Sequence, residues 1–157
     1  MRSATTSFWA RFLVLFSVGA LVTSCASYSS RYYKSSEDLA LEGYDPVAYF
    51  TEGSPSRGDP QYRLEWMGAT WQFTSREHLG LFRADPERYA PQFGGYCAWG
   101  IAKDRLIKVD PEVWSIVNGN LYLNFNAKIQ EDWFANQKEY LREAQANWPG
   151  LSAELEP

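Results

Sequence analysis

Cys97 and His78 are the side chains in this sequence best suited to soft-ligand or thiol chemistry. A thiolate and an imidazole together suit copper or zinc. Two ligands do not close a structural zinc site, so Asp45, Glu77, Asp85 or a second chain would have to complete it. Cys97 also supports a different chemistry. An exposed thiol of low pKa, next to the flexible Gly94-Gly95 pair and at the start of a helix, could cycle through a sulfenic acid or a mixed disulfide. Hydrolytic catalysis has no support, because the single histidine is not linked to a nucleophile motif. The chain also has no P-loop, dinucleotide fingerprint or CxxC pair. No catalytic residue or organic cofactor is assigned, and a binding protein is favoured over an enzyme.

The other thiol, Cys25, points to export. Arg2 and Arg11 are followed by an unbroken apolar and small-residue run, Phe12 to Val22. That length fits a signal peptide, whereas a membrane span needs roughly 20 residues. The run ends in Leu21-Val22-Thr23-Ser24-Cys25, which resembles the lipobox of bacterial lipoproteins. The resemblance implies transfer of a diacylglycerol to the Cys25 thiol and then cleavage before that residue, leaving a lipid anchor with palmitate-type chains, with Ala26 matching the outer-membrane sorting pattern. The expected location is the cell envelope, lipid-anchored and facing the periplasm where the host has two membranes. Residues 1–24 are expected to form the signal peptide and residues 25–36 a polar, serine-rich tether. The domain is expected over 37–150, with a tail at 151–157.

After cleavage, Cys97 would have no internal disulfide partner, which in an oxidising compartment draws attention to it. The processed chain suffices for one domain, not two. It keeps 13 basic and all 19 acidic residues, a net charge of −6, so nucleic acid is excluded as a partner. Aromatics make up 17% of the chain, and six tryptophans follow Cys25, which predicts a core built from rings.

Short elements must position these groups. Asp45-Pro46 begins a short helix that Gly53 ends, and residues 53–61 read as a loop. Tyr62, Leu64 and Trp66 alternate with charge, turn at Met67-Gly68-Ala69, and pair with Trp71 and Phe73. Ser75 caps a helix through Ala84, Asp85-Pro86 begins a further turn, and a helix runs from about Tyr96 toward Lys103. Leu106 to Val109 reads as a strand, and Asn118-Gly119 closes the clearest hairpin. Asn126 caps a final helical stretch that Pro149-Gly150 stops. The fold class is α+β, a small single domain of antiparallel hairpins packed against short helices and a C-terminal helix.

Several blocks together resemble the YHS-domain family. They are Gly43-Tyr44-Asp45-Pro46-Val47-Ala48-Tyr49-Phe50, Glu65-Trp66 with Gly68-Ala69, Trp71, Phe73 and Ser75, then Phe82 with Asp85-Pro86, Tyr89 and Pro91, and Gly94-Gly95-Tyr96-Cys97-Ala98. Asp110-Pro111, Trp114, Gly119, Leu121-Tyr122-Leu123-Asn124 and Asn147-Trp148-Pro149 are similar to its exported branch. The resemblance spans about residues 40–150. It implies a metal-binding module, and some relatives carry selenocysteine where Cys97 stands, which points to chemistry at that position. In the cysteine-bearing type, thiols precede the serine directly and follow it by three residues; Thr74 and His78 occupy those places here. The leading expectation is an exported lipoprotein that binds copper or zinc through Cys97, with His78. Its rivals are a thiol-redox protein using Cys97, and a non-catalytic module that binds another envelope component through an aromatic surface.

Overall fold

A computed structural model describes residues 30–155. The expected signal peptide and Cys25 lie outside them. The class is α+β: among the described residues there are two antiparallel hairpins, six helices and two single turns of 3-10 helix. In chain order these are α1 (Ala48–Thr51), β1 (Asp59–Trp66), β2 (Ala69–Phe73), α2 (Arg76–Ala84), α3 (Pro86–Tyr89), α4 (Ala98–Ala102), β3 (Asp110–Val117), β4 (Asn120–Asn124), α5 (Ala127–Ala135) and α6 (Gln137–Ala153).

Both hairpins turn through two residues of positive φ, Met67-Gly68 and Asn118-Gly119, the geometry that suits the right-handed twist of paired strands. Glycine serves the second position of each without steric cost. Ser75 Oγ accepts the His78 N–H at the start of α2, and Asn126 Oδ1 accepts the Ile129 N–H at the start of α5, so both expected caps are present.

The β3–β4 hairpin divides the interior. Successive strand side chains point to opposite faces. Leu121 and Leu123 therefore enter a core with Val47, Tyr49, Trp71, Phe73, Phe82 and Cys97. Tyr122 enters a second core with Phe93, Ile101, Trp133, Ala144 and Leu151. Trp71 and Trp133 are fully buried, and rings pack at centroid separations such as 4.9 Å for Trp71–Phe82 and 5.8 Å for Tyr122–Trp133. The expected aromatic core is what these contacts build.

Four local expectations need correction. Leu106–Val109 joins no strand; β3 begins one residue later, at Asp110. The loop expected over 53–61 gives way to β1 at Asp59. The final helical stretch is two helices, broken at Asn136, and α6 continues through Pro149 to Ala153. Proline removes one backbone donor from a helix. Tertiary contacts here hold that turn: Asn147 Nδ2 donates to the carbonyls of Ile101 and Ala102, Trp148 packs on Phe93, and Leu151 is buried.

The fourth correction concerns the tether. Residues 30–36, expected within it, are packed on the domain. Ser30 is buried and donates to the Met67 carbonyl at 3.0 Å. The Tyr32 ring lies 5.2 Å from Trp66 and 5.1 Å from Trp71, and the Tyr33 N–H donates to the Gly94 carbonyl. Polar composition suggested a free segment, but its two tyrosines supply the apolar surface that docks it. Among the described residues no helix is long and apolar enough to cross a membrane.

Candidate functional site

Cys97 lies where three segments meet. Phe93, Gly94 and Gly95 all take positive φ, and that bend delivers the chain to Cys97, directly before α4. The glycine at 94 is required by close approach: a Cβ there would stand 2.2 Å from the Arg31 carbonyl oxygen. The Cys97 N–H donates to the Ile107 carbonyl, and the residue bridges Leu123 on the edge of β4.

The result is a thiol with no exposure to solvent. Its sulfur lies 3.7 Å from Asn124 Oδ1, and the backbone N–H groups of Gly100, Phe125 and Trp99 also point to it. Burial disfavours the charged form and pushes the thiol pKa up, while the three N–H groups pull the other way without overcoming it. A low-pKa, reachable thiolate needs the opposite environment. Asn124 is itself fully buried; its Oδ1 also accepts the Trp99 N–H at 3.4 Å, and its Nδ2 has no partner.

His78 belongs to another cluster, whose hub is Asp45. This carboxylate is completely buried. Its Oδ1 accepts the Val47 N–H at 2.8 Å, and its Oδ2 accepts the Thr74 N–H at 2.8 Å and the Thr74 hydroxyl at 2.9 Å. His78 Nδ1 lies 2.6 Å from the same Oδ2. One side chain thus ties the start of α1 to the end of β2 and to α2. The carboxylate fixes the ring through Nδ1 and leaves Nε2 turned outward, 3.3 Å from Thr51 Oγ1 and 4.0 Å from Glu52 Oε1.

The polar contacts of Cys97 and those of His78 have no residue in common. The structure therefore does not join the two residues that the sequence proposed as co-ligands. Of the suggested additional donors, Asp45 is engaged with His78, whereas Glu77 and Asp85 make no contact with either group among the interactions described. No group of three or more His, Cys, Asp or Glu side chains among the described residues is arranged to hold a metal ion.

The sequence offered Asp45 both as a helix cap and as one of several donors to complete a site with Cys97 and His78; the structure sets it against His78, 33 positions away, and apart from Cys97. Thr74, Thr51, Glu52 and Asn124 were missed as partners. The available signal was that Asp45 and Thr74 both fall within the aromatic blocks around Tyr49 and Phe73. Those blocks pack into one core. Two buried tyrosines of the same region are fixed as well: the Tyr49 hydroxyl donates to the Pro111 carbonyl at 2.9 Å, and the Tyr44 hydroxyl to Glu112 at 3.0 Å. No family model, curated protein or solved structure matches the chain.

Proposed function

We propose that this chain is an exported lipoprotein, acylated at Cys25 and held at a membrane of the cell envelope. Its YHS-like domain acts as a non-catalytic binding module for another envelope component. The observation that carries the choice among the three sequence-based readings is the sealed sulfur of Cys97. A metal or an oxidant must reach a thiol to react with it, and in the folded domain this one has no exposure, sits in the hydrophobic core and faces N–H groups and an amide oxygen. Its role here is packing: a small, polarisable side chain at the junction of α4 and β4.

A copper- or zinc-binding reading keeps support at one group only. Asp45 orients the His78 ring so that Nε2 faces Glu52 at the surface, the usual outer-shell arrangement of a metal-binding histidine. Titration of the mature domain with Cu(I) and with Zn(II), alongside Cys97→Ser and His78→Ala, separates the readings. The module reading expects no stoichiometric binding by any of the three proteins. Binding that survives Cys97→Ser but is lost in His78→Ala would replace it with a metal site at the surface face. Binding lost in Cys97→Ser would overturn the premise that the sulfur is sealed.

A further inference from the structure

We infer that the tip of the β1–β2 hairpin, centred on Met67, rests against the surface of the anchoring membrane. The inference depends on acylation of Cys25 and adds the orientation of the domain and the surface that meets lipid.

The described chain starts at the hairpin tip. Ser30 is fixed to the hairpin tip by its hydroxyl bond to the Met67 carbonyl, and Tyr32 is held between Trp66 and Trp71. Four residues separate Cys25 from Ser30, a path of five Cα–Cα steps. Even fully extended they reach only about 18 Å. A domain of this length has a radius of gyration near 14 Å and so a diameter of roughly 36 Å. To turn the far side of the domain to the membrane, the chain would have to cover about twice its reach. The anchor therefore fixes which hemisphere faces lipid.

The residue at the tip suits that place. Met67 is 39% exposed and takes a left-handed backbone conformation, φ 49°, at a turn position that asparagine or glycine fills at lower cost. Met67 belongs to neither hydrophobic cluster of the described residues, so the core gives little reward for a large apolar side chain there. Insertion into the interfacial zone of a bilayer does reward it, and the half-buried indole of Trp66 beside it is a side chain that favours the same zone.

The test uses the full-length acylated chain in phosphatidylethanolamine–phosphatidylglycerol vesicles, in a Cys97→Ser background. An environment-sensitive fluorophore is attached at Met67→Cys, at Glu65→Cys on the adjoining exposed strand position, or at Arg142→Cys on α6, whose side chain is 72% exposed. A lipid carrying a nitroxide near the headgroup serves as quencher. The expected result is loss of at least about half the emission at 67 and 65, and less than a tenth at 142. Equal quenching at all three positions, or stronger quenching at 142, overturns the orientation. Intact mass and vesicle flotation read the anchor separately. Absence of acyl mass on Cys25 removes the lipoprotein reading and the orientation with it; a floated, acylated protein without the quenching difference removes the orientation alone.

Discussion

Replacing Asp45 with alanine is expected to cost about 3–5 kcal/mol of folding stability, a large share of the 5–15 kcal/mol that a domain usually possesses. The figure follows from the carboxylate's partners. It receives the N–H groups of Val47 and Thr74, the Thr74 hydroxyl and a ring nitrogen of His78, with no exposure of its own. Truncation leaves two backbone donors without an acceptor, and each buried orphan costs about 1–3 kcal/mol. The Thr74 hydroxyl already lies within reach of His78, and His78 reaches solvent, so these two groups recover part of their loss and do not add in full. His78→Ala is expected to cost less, about 1–2 kcal/mol, because the carboxylate keeps three donors. Asp45→Asn preserves shape but turns an NH2 group toward other donors, and should fall between the two. The assay is urea unfolding followed by tryptophan fluorescence, with the slope m unchanged across the series. An Asp45→Ala cost below about 1 kcal/mol, or a His78→Ala cost exceeding it, would refute Asp45 as the hub.

Three further outcomes follow from the same contacts. Cys97→Ser should be tolerated within about 1 kcal/mol, since a hydroxyl can meet both the N–H groups and Asn124 Oδ1, whereas Cys97→Val should cost about 2–3 kcal/mol by crowding the site and orphaning those donors; equal costs in chemical denaturation would contradict the N–H pocket. Stability should fall as pH rises from about 9: burial raises the folded-state pKa of Cys97 and of Tyr49, and pushes Tyr32 up to about 12, so the unfolded chain releases those protons first and is favoured. A flat stability profile between pH 8 and 11 would count against that burial. Gly94→Ala should free the N-terminal segment, because its Cβ would collide with the Arg31 carbonyl; tryptic cleavage after Arg31 or Lys34 should accelerate at least tenfold, and unchanged cleavage would show that the segment does not depend on this approach.

Local rules made much of the fold legible. Side-chain chemistry marked Ser75 and Asn126 as caps, alternation before a turn at Met67-Gly68-Ala69 marked the first hairpin, and Asn118-Gly119 marked the second. What could not be read was set by distance along the chain. Nothing local tells Asp45 that it will accept from Thr74 and His78, and nothing local tells Cys97 that Leu123, Asn124 and Ile107 will close over it. Pro149 obeys the local rule in composition and escapes it through Asn147 and Trp148, whose contacts lie some 45–55 residues upstream. Residues 30–36 mislead for the complementary reason: serines and charges dominate the composition, while Tyr32 and Tyr33 determine the packing.

The central claim is that the sulfur of Cys97 is out of reach in the folded domain, and its alkylation rate measures this directly. Mature protein lacking Cys25 should react with iodoacetamide at pH 8 at least about a thousandfold more slowly when native than in 6 M guanidinium chloride, the factor that an opening free energy of roughly 4 kcal/mol imposes. A native rate within tenfold of the unfolded one would contradict the account and restore Cys97 as the reactive centre.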